Sequence, residues 1–334
     1  MADSHYSQGG AVATQDFAFG DPESVVGKSW IDYLGVVPHT AGYYEPPYSM
    51  AGLAKLRGAN SHHGSCLVFR RNMLASVYRP SPELPMSVFR ALALDFLTFG
   101  NGYLYLVRNL FGQVIGLQHV PALNMRVLVA GGYRRLMPDT GRDLDFPAAA
   151  ILHLADYDCM QNIYGLPDWL GGLQSCLLNE DATLFRRRYY VNGAHMGYIF
   201  YTSDPSLDPK VQTALQEKIR EGKGVGNFKS MYIHIPNGKE KSVQIIPIGD
   251  ISQKDEFAHI KNISADDVLV AHRVPGALAG VRPTAVGGDG DVTKRRLVYL
   301  QTETRPLADV FTAANETLPP RLQLRFEFPP EAAP

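Results

Sequence analysis

The 334-residue sequence predicts an α+β fold in which long helices and strands occupy separate stretches of the chain. Three observations support this prediction. Apolar residues recur with helical spacing over 86–99, alternate as in a strand over 103–107, and return to helical spacing over 167–191.

The composition indicates a folded protein without a strong charge bias. Hydrophobic residues make up 45% of the chain and charged residues 19%, which excludes a disordered polypeptide. Lysine and arginine total 32 against 33 aspartate and glutamate, so the formal net charge is -1. Proteins that grip nucleic acid tightly carry a basic surplus, because neutralised phosphates supply much of the affinity. Any contact with DNA is therefore expected to be weak.

The cysteines and the apolar runs bear on the cellular compartment. Cys66, Cys159 and Cys176 are far apart, which argues against a disulfide framework or a zinc site and suits a reducing cytoplasm. The polar start of the chain lacks the basic segment and apolar core of a signal peptide. The sequence contains no run of 18 uncharged apolar residues, so no membrane span is predicted.

The first half of the chain predicts a flexible arm, three helices and a β region. Gly100 is expected to end the third helix, and Gly131-Gly132 to join two of the strands. The arm covers 1–28, the helices 50–57, 62–77 and 86–99, and the strands 103–107, 114–120, 125–129, 133–137 and 150–154.

Two long helices dominate the second half. Residues 167–191 predict an amphipathic helix roughly 35–40 Å long at 1.5 Å per residue. A second long helix begins at the capping-box pattern of Ser252 and must end before Pro275, and a pattern of the same form at Ser264 would allow a break there.

A small α/β insertion separates these two helices, and a third helix follows them. The insertion consists of a strand at 198–201, a helix at 209–221, and a hairpin of 231–235 with 243–246. Beyond the second helix come a Gly/Pro-rich loop at 280–290, a helix at 292–318 that should kink at Pro306, and a strand at 322–328.

Motifs that would carry phosphate chemistry or metal chemistry are weak. Gly222–Gly226 lacks the Lys-Ser/Thr ending of a phosphate-binding loop and follows a helix instead of a strand. Asp289 and Asp291 have the two-residue spacing of a calcium loop, but no further ligands follow, so Asp291 is better explained as a helix cap.

The histidines also favour structural roles. His62 and His63 point about 100° apart on a helix, so they cannot easily share one ion. His153 with Asp156 and Asp158 is a slightly better metal candidate, but a surface cluster is favoured, and His272 with Arg273 is interpreted as a helix C-terminal cap. With no GxSxG or HExxH motif, we expect no catalytic activity, no metal and no cofactor.

Three successive arginines lie near the end of the first long helix. Arg186, Arg187 and Arg188 fan around the helix, so at least one must face a neighbouring surface. Contact with carboxylates of another subunit is the preferred interpretation, contact with the DNA backbone the second, and a solvated face the third.

Residues 163–205, IYGLPDWLGGLQSCLLNEDATLFRRRYYVNGAHMGYIFYTSDP, closely resemble the portal proteins of the PBSX-type family of tailed phages with contractile tails. Further collinear motifs extend the resemblance over nearly the whole chain. They are FGDPE (19–23), YYEPP (43–47), NSHHGS (60–65), FGNGYL (99–104), KDEFAHIKN (254–262), DDVLVAHRVP (266–275) and GGDGDV (287–292).

The resemblance implies the portal fold: a wing, two long stem helices joined by a small α/β clip, a tunnel loop, a kinked helix and a minimal crown. The implied boundaries are a flexible arm at 1–28, wing at 29–166, first stem helix at 167–196, clip at 197–247, second stem helix at 248–275, tunnel loop at 276–291, and a wing/crown helix with a C-terminal strand at 292–334.

The resemblance also implies site residues. The expected contacts are a stem interface between subunits at Arg186, Arg187, Arg188, Glu180 and Asp181, a channel-facing tunnel loop at Arg282, Gly287, Gly288, Asp289 and Gly290, and a clip surface for the motor and connectors at Lys223, Asn227 and Lys239.

The function implied is that of a portal vertex subunit in the virion, assembled in the cytoplasm of the host bacterium. About twelve copies would form a ring through which double-stranded DNA is packaged and ejected. The implied partners are the terminase large subunit, the major capsid protein and scaffold, and the head-completion and neck proteins, with no membrane. A nuclease or packaging motor, or an oligomeric small-molecule enzyme, remains the alternative.

Overall fold

The protein is described by a computed structural model over residues 35–191, 198–202, 231–234, 243–247, 253–278 and 291–330. Contacts between residues divide the chain into two units. The described part of the larger unit comprises 35–182, 258–278 and 291–330, and that of the smaller unit comprises 183–191, 253–257 and three strands.

Helices account for much of the described chain. They are α1 (Met50–Ala59), α2 (Ser61–Val77), α3 (Met86–Phe99), α4 (Leu173–Val191), α5 (Gln253–Ala271), α6 (Val292–Tyr299) and α7 (Arg305–Ala313). The turn Leu300–Thr304 between α6 and α7 is π-helical, and a 3₁₀ turn at Leu170–Gly172 precedes α4.

The strands form small sheets. They are β1 (Val37–Pro38), β2 (Tyr44–Glu45), β3 (Tyr78–Arg79), β4 (Asn101–Arg108), β5 (Val114–Val120), β6 (Met125–Val127), β7 (Tyr133–Arg135), β8 (Leu144–Phe146), β9 (Ile151–Ala155), β10 (Tyr198–Thr202), β11 (Met231–His234), β12 (Val243–Pro247) and β13 (Arg325–Phe326). Their orders are β1-β2, β13-β3, β5-β4-β9, β6-β7-β8 and β11-β10-β12.

Capping side chains set the limits of the first three helices. Ser49 Oγ accepts a hydrogen bond from the Gly52 amide at the start of α1, and Asn60 Oδ1 accepts one from the His63 amide at the start of α2. Gly100 ends α3 in the left-handed conformation, at φ 68°. All three predicted helices of this region are confirmed.

The sheet β5-β4-β9 is antiparallel and lies at the centre of the larger unit. Tyr103 of β4 pairs with Val120 of β5 on one side and His153 of β9 on the other. Because β4 is paired along both edges, its residues 101–104 are all buried. Tyr103 itself is completely enclosed.

An aromatic core joins α3 to α7. The Phe96 and Phe311 rings lie 5.1 Å apart, and Phe89 stacks on Tyr78 at 3.8 Å. Short β13 pairs with β3 and brings Leu324 into the same core. The predicted C-terminal strand at 322–328 is therefore present only as Arg325–Phe326.

One prediction of local structure is wrong, and one alternative left open by the sequence is not realised. Strands β11 and β12 do not form a hairpin but lie on opposite edges of β10, parallel and antiparallel to it respectively. The two strands of a hairpin pair with each other, whereas here β10 lies between β11 and β12. Helix α5 also continues through Ser264 without a break.

The helix predicted at 292–318 begins as expected, because Asp291 Oδ1 accepts hydrogen bonds from the amides of Thr293 and Lys294. The irregularity expected at Pro306 takes the form of the π turn just before it. Pro306 has no amide hydrogen to donate, and the Arg305 amide bonds instead to the carbonyl of Leu300, five residues back.

Candidate functional site at the base of the long helices

The bases of α4 and α5 pack against each other in antiparallel directions. Their contacts occur at three levels, joining Gly172 to Ala271, Ser175 to Asp267, and Asn179 to Ser264. We call this region the helix base. It fixes how the lower parts of both long helices pack against each other within the larger unit.

Gly172 permits the closest of these contacts. A Cβ atom added at Gly172 would lie 2.4 Å from the Cβ of Ala271, well inside van der Waals contact. At the neighbouring Gly171, an added Cβ would meet nothing within 4 Å. The absence of a side chain at Gly172 is therefore what allows α5 to approach.

Buried amide groups hold the next level. Asn179 Nδ2 donates to the Ser264 hydroxyl and to the Lys261 carbonyl, both at 2.9 Å. Asn60 Nδ2 donates to the Cys176 carbonyl at 2.8 Å, so the residue that caps α2 also anchors α4. Ser264 is held inside this contact, which explains why α5 does not break there.

A histidine pair lies beneath the end of α5. His63 Nδ1 and His272 Nε2 are 2.9 Å apart, and both side chains are buried against Trp169. The Trp169 indole donates to the Leu97 carbonyl at 2.8 Å. Burial lowers the pKa of His63 to about 3, and burial together with the charge of neighbouring groups lowers that of His272 to about 2. Both rings are thus neutral at pH 7.

An ion-pair network lies beside the histidines. Arg70 donates two hydrogen bonds of 2.7 Å to the two carboxylate oxygens of Asp168, and Arg273 pairs with Asp168 and with Glu303. Burial alone would raise the pKa of Asp168, but the hydrogen bonds and charge of Arg70 outweigh burial and lower it. The network joins α2, the 3₁₀ turn before α4, the end of α5 and the π turn.

Arg273 adopts a backbone conformation that favours glycine. Its φ is 54°, its amide bonds to the Val270 carbonyl, and the Val274 amide bonds to the Leu269 carbonyl. This is a Schellman motif with arginine where glycine is usual. Val274 packs with Leu269 and Cys66, the apolar contact that accompanies the motif. The Arg273 side chain forms the two ion pairs with Asp168 and Glu303 from this position.

The opposite face of α5 is open. His259, Ile263, Asp266 and Val270 recur at helical spacing and are exposed, and the exposed fraction of Val270 reaches 75%. On α4, Leu178 is also exposed, at 50%. A helical face that mixes apolar and acidic groups in this way is suited to contact with another protein.

The stem residues predicted from the sequence fall into three groups. Arg186 and Arg187 are exposed on α4, and Arg188 lies in the same helix. Asp181 is half-buried, whereas Glu180 is only 3% exposed and faces the interior of its own subunit. The other predicted site residues lie outside the described residues: Arg282, Gly287, Gly288, Asp289 and Gly290 of the tunnel loop, and Lys223, Asn227 and Lys239 of the clip.

The buried network was not predicted from the sequence. His272 and Arg273 were placed correctly at a helix end, but their partners His63 and Asp168 are 209 and 105 residues away in the chain. His153, considered as a metal ligand, instead bonds to Asn101. Across the described ranges, no three histidine, cysteine or carboxylate side chains are arranged to hold a metal ion.

Within the same ranges, none of the helices is long and apolar enough to cross a membrane. The described contacts at the helix base hold α4 and α5 against each other.

Comparison with known proteins identifies the family. The profile of the phage portal protein family matches residues 70–332. A probable portal protein of Haemophilus phage HP1 is 46% identical over 84% of this chain and 83% of its own length. The probable portal protein of Escherichia phage P2 is 40% identical over 90% of this chain and 87% of its own length.

Solved structures share the fold. The neck of an empty gene transfer agent particle matches with a TM-score of 0.59 and 18% identity, covering 87% of both chains. An HK97 family phage portal protein from Corynebacterium diphtheriae matches with a TM-score of 0.56 and 15% identity, over 82% of this chain and 94% of that one. These matches do not distinguish the PBSX-type subfamily, which stays a prediction. The chain belongs to the phage portal protein family, the structural subunits of the capsid vertex in tailed-phage particles.

Proposed function

We propose that about twelve copies of this chain form a ring whose channel passes double-stranded DNA during packaging and ejection. The helix base carries this proposal. Its buried contacts fix α4 and α5 side by side, and an exposed mixed face of α5 is left for a neighbouring subunit. The neck of a native gene transfer agent particle, computed with C12 symmetry, shares the fold at a TM-score of 0.54 and 19% identity.

The contact between neighbouring subunits involves the arginines of α4. Arg186 and Arg187 are exposed and positively charged, so carboxylates of the next subunit are their natural partners in the ring. Asp181 supplies a partly exposed carboxylate on the same helix. Glu180 is a weaker candidate because it is buried within its own subunit.

The channel and docking surfaces follow from the family. The tunnel loop at 276–291 faces the DNA, and the clip at 197–247 docks the terminase motor and later the head-completion and neck proteins. The major capsid protein and scaffold hold the wing. With a net charge of -1, the subunit holds DNA weakly enough to let it slide.

The ring itself performs no catalysis in this proposal, and a separate ATPase supplies the energy of packaging. ATPase and nuclease assays on the purified chain test this directly. Turnover that is abolished by a point substitution in this chain would support the rival classes, a nucleic-acid enzyme such as a nuclease or packaging motor, or an oligomeric small-molecule enzyme.

Electron microscopy of the purified protein tests the ring. Wild-type protein is expected to form rings, and reversal of Arg186, Arg187 and Arg188 to glutamate is expected to abolish them because the intersubunit ion pairs become repulsive. Only monomers or dimers in the wild type would overturn the proposal. Normal rings of the variant with failed packaging would instead show that these arginines contact DNA.

A further inference from the structure

Two loops at opposite ends of the sheet β5-β4-β9 expose large apolar side chains. Leu110 and Phe111, at the β4–β5 turn, are 103% and 89% exposed. Tyr157 and Met160, in the loop after β9, are 85% and 68% exposed. Isolated exposed apolar residues are common, but pairs this prominent on braced loops call for a partner.

The first loop is held rigidly. The Asn109 side chain accepts hydrogen bonds from the Phe111 and Gln113 amides at 3.0 and 2.9 Å. The Arg108 guanidinium donates to the Gly112 carbonyl at 2.7 Å, and Gly112 takes the required positive φ of 77°. Leu110 and Phe111 are therefore presented in a fixed position, and little chain entropy is lost when they bind.

The second loop is held in the same way. Asp158 accepts hydrogen bonds from the Met160 amide at 3.0 Å and from the Gln161 side chain at 2.9 Å. Gln161 Oε1 accepts two more from the amides of Ile163 and Tyr164, both at 2.8 Å. Unlike a mobile loop, this one keeps Tyr157 and Met160 facing outward.

The topology places the two loops apart. Ala155 at the end of β9 pairs with Asn101 at the start of β4, whereas the β4–β5 turn follows the other end of β4 at Arg108. Eight residues of strand separate these ends by roughly 25 Å. One rigid sheet therefore carries two different apolar surfaces that cannot meet within one chain.

Two different surfaces at opposite ends of one sheet suit a head-to-tail ring contact, in which each subunit presents a different patch to each neighbour. The charges beside the two loops are opposite in sign, because Arg108 and Arg321 lie beside the first loop and the half-buried Asp156 precedes Tyr157 in the second. Phe111, Tyr157 and Met160 are of the residue types enriched in the buried centre of interfaces, and the flexible Met160 side chain adapts to the shape of a partner.

The geometry points to a contact between wings, in which Leu110 and Phe111 of one copy pack against Tyr157 and Met160 of the next copy in the ring. This inference rests on the proposed ring. It adds a second band of subunit contact, separate from the long helices, that holds neighbouring wings in a fixed orientation.

Cross-linking between subunits tests this contact. Cys159 is exposed between Tyr157 and Met160, whereas Cys66 and Cys176 are buried. Rings of Leu110→Cys, treated with a short bismaleimide, are expected to give a ladder of covalent multimers on a reducing gel. Two controls are expected to run as monomers on the gel after the same treatment. They are Leu110→Cys combined with Cys159→Ser, and Asp139→Cys, a substitution in an exposed turn elsewhere. Rings of Leu110→Cys without a ladder would overturn the inference.

A second variant covers the case in which Leu110→Cys forms no rings. In Leu110→Ser/Phe111→Ser the melting temperature of the subunit should stay unchanged, because neither side chain is buried. The protein concentration needed for rings should rise about tenfold or more. Unaltered ring formation with poor incorporation into capsids would overturn the inference and identify a shell protein as the partner. If wild-type protein itself forms no rings, the proposed ring is wrong, and this result is distinct from a failure of the wing contact alone.

Discussion

The aromatic core and the helix base are both buried, but they hold the protein together in different ways. The core between α3 and α7 is apolar, with Phe89, Phe96 and Phe311 in edge-to-face contact at 5.1–5.7 Å. The helix base contains buried ionic and amide groups instead, among them Arg70 and Asn179.

The two regions make different contributions to the folded structure. Apolar burial is non-directional, so the aromatic core supplies stability and tolerates small shifts of its side chains. Buried hydrogen bonds and ion pairs lose much of their stabilising free energy when their geometry is altered. The helix base therefore favours one packing arrangement of α4 and α5. In the proposed ring, where subunits must match their neighbours, the fixed packing of the bases of α4 and α5 matters as much as stability.

The largest expected effect is in the aromatic core. Phe311→Ala should lower the free energy of unfolding by about 3–5 kcal/mol, since it removes a fully buried ring that contacts two others. Denaturant unfolding measures this. Phe111→Ala is the matched control, because its ring is exposed and its loss should change the free energy by less than about 0.5 kcal/mol. Equal losses in both variants would contradict the assignment of the core.

Breaking the ion-pair network should lower the free energy of unfolding nearly as much as Phe311→Ala does. Asp168→Ala leaves Arg70, which is 5% exposed, without its bidentate partner and should lower the free energy of unfolding by about 3 kcal/mol. The double variant Arg70→Met/Asp168→Leu should recover most of that loss, because no charge is left unpaired. If the double variant is as unstable as Asp168→Ala, then the unpaired charge of Arg70 is not the cause of the lost stability.

The contact at Gly172 should give a smaller effect. Gly172→Ala places its Cβ against Ala271 and should lower the free energy of unfolding by about 1–3 kcal/mol as the helices separate. Gly171→Ala is the neighbouring control, with open space around its Cβ and little expected change. If the two variants unfold alike, then the close approach of α4 and α5 is not limiting.

The histidine pair should have little effect at neutral pH and a larger one in acid. The pKa of His63 is about 3 and that of His272 about 2 in the folded chain, against about 6.5 when unfolded. Below pH 6.5 the unfolded chain therefore binds protons that the folded chain does not. The free energy of unfolding should fall as the pH drops from about 6.5 towards 2 and should level off below that value.

Thermal unfolding across this pH range, compared between wild type and His272→Leu, measures the contribution. The variant should show a shallower loss of stability in acid, because one buried histidine no longer titrates. His39→Gln, a change at an exposed histidine, should leave the wild-type slope intact. An unchanged slope in His272→Leu would rule out the pair as its source.

Local signals predicted the fold well where the structure is local. Helix α3 ends at Gly100 and strand β5 spans Val114–Val120, both as predicted, because the decisive residues lie within or next to each element. The hairpin predicted for 231–235 and 243–246 was wrong, because both strands pair with β10 instead, and the break that the Ser264 pattern would have allowed does not occur. Both depend on partners distant in the chain, which no turn or capping pattern encodes.

The helix base shows the same limit more strongly. Neither periodicity nor motif spacing connects His63 with His272, or Asp168 with Arg70 and Arg273, since these contacts exist only after the helices have packed. The family was evident from collinear motifs, which preserve order along the chain. Such motifs do not say which side chains meet.

The π turn at Leu300–Thr304 has a consequence for how α6 and α7 face their surroundings. A π turn amounts to one residue inserted in an α-helix, and each helical residue advances the helix by about 100°. The insertion therefore sets the rotational phase of α6 apart from that of α7. Phe311 of α7 can therefore face the aromatic core without determining which side chains of α6 face the protein interior. Deletion of one residue from the turn would bring the two helices back into phase and rotate every side chain of α6 about the helix axis.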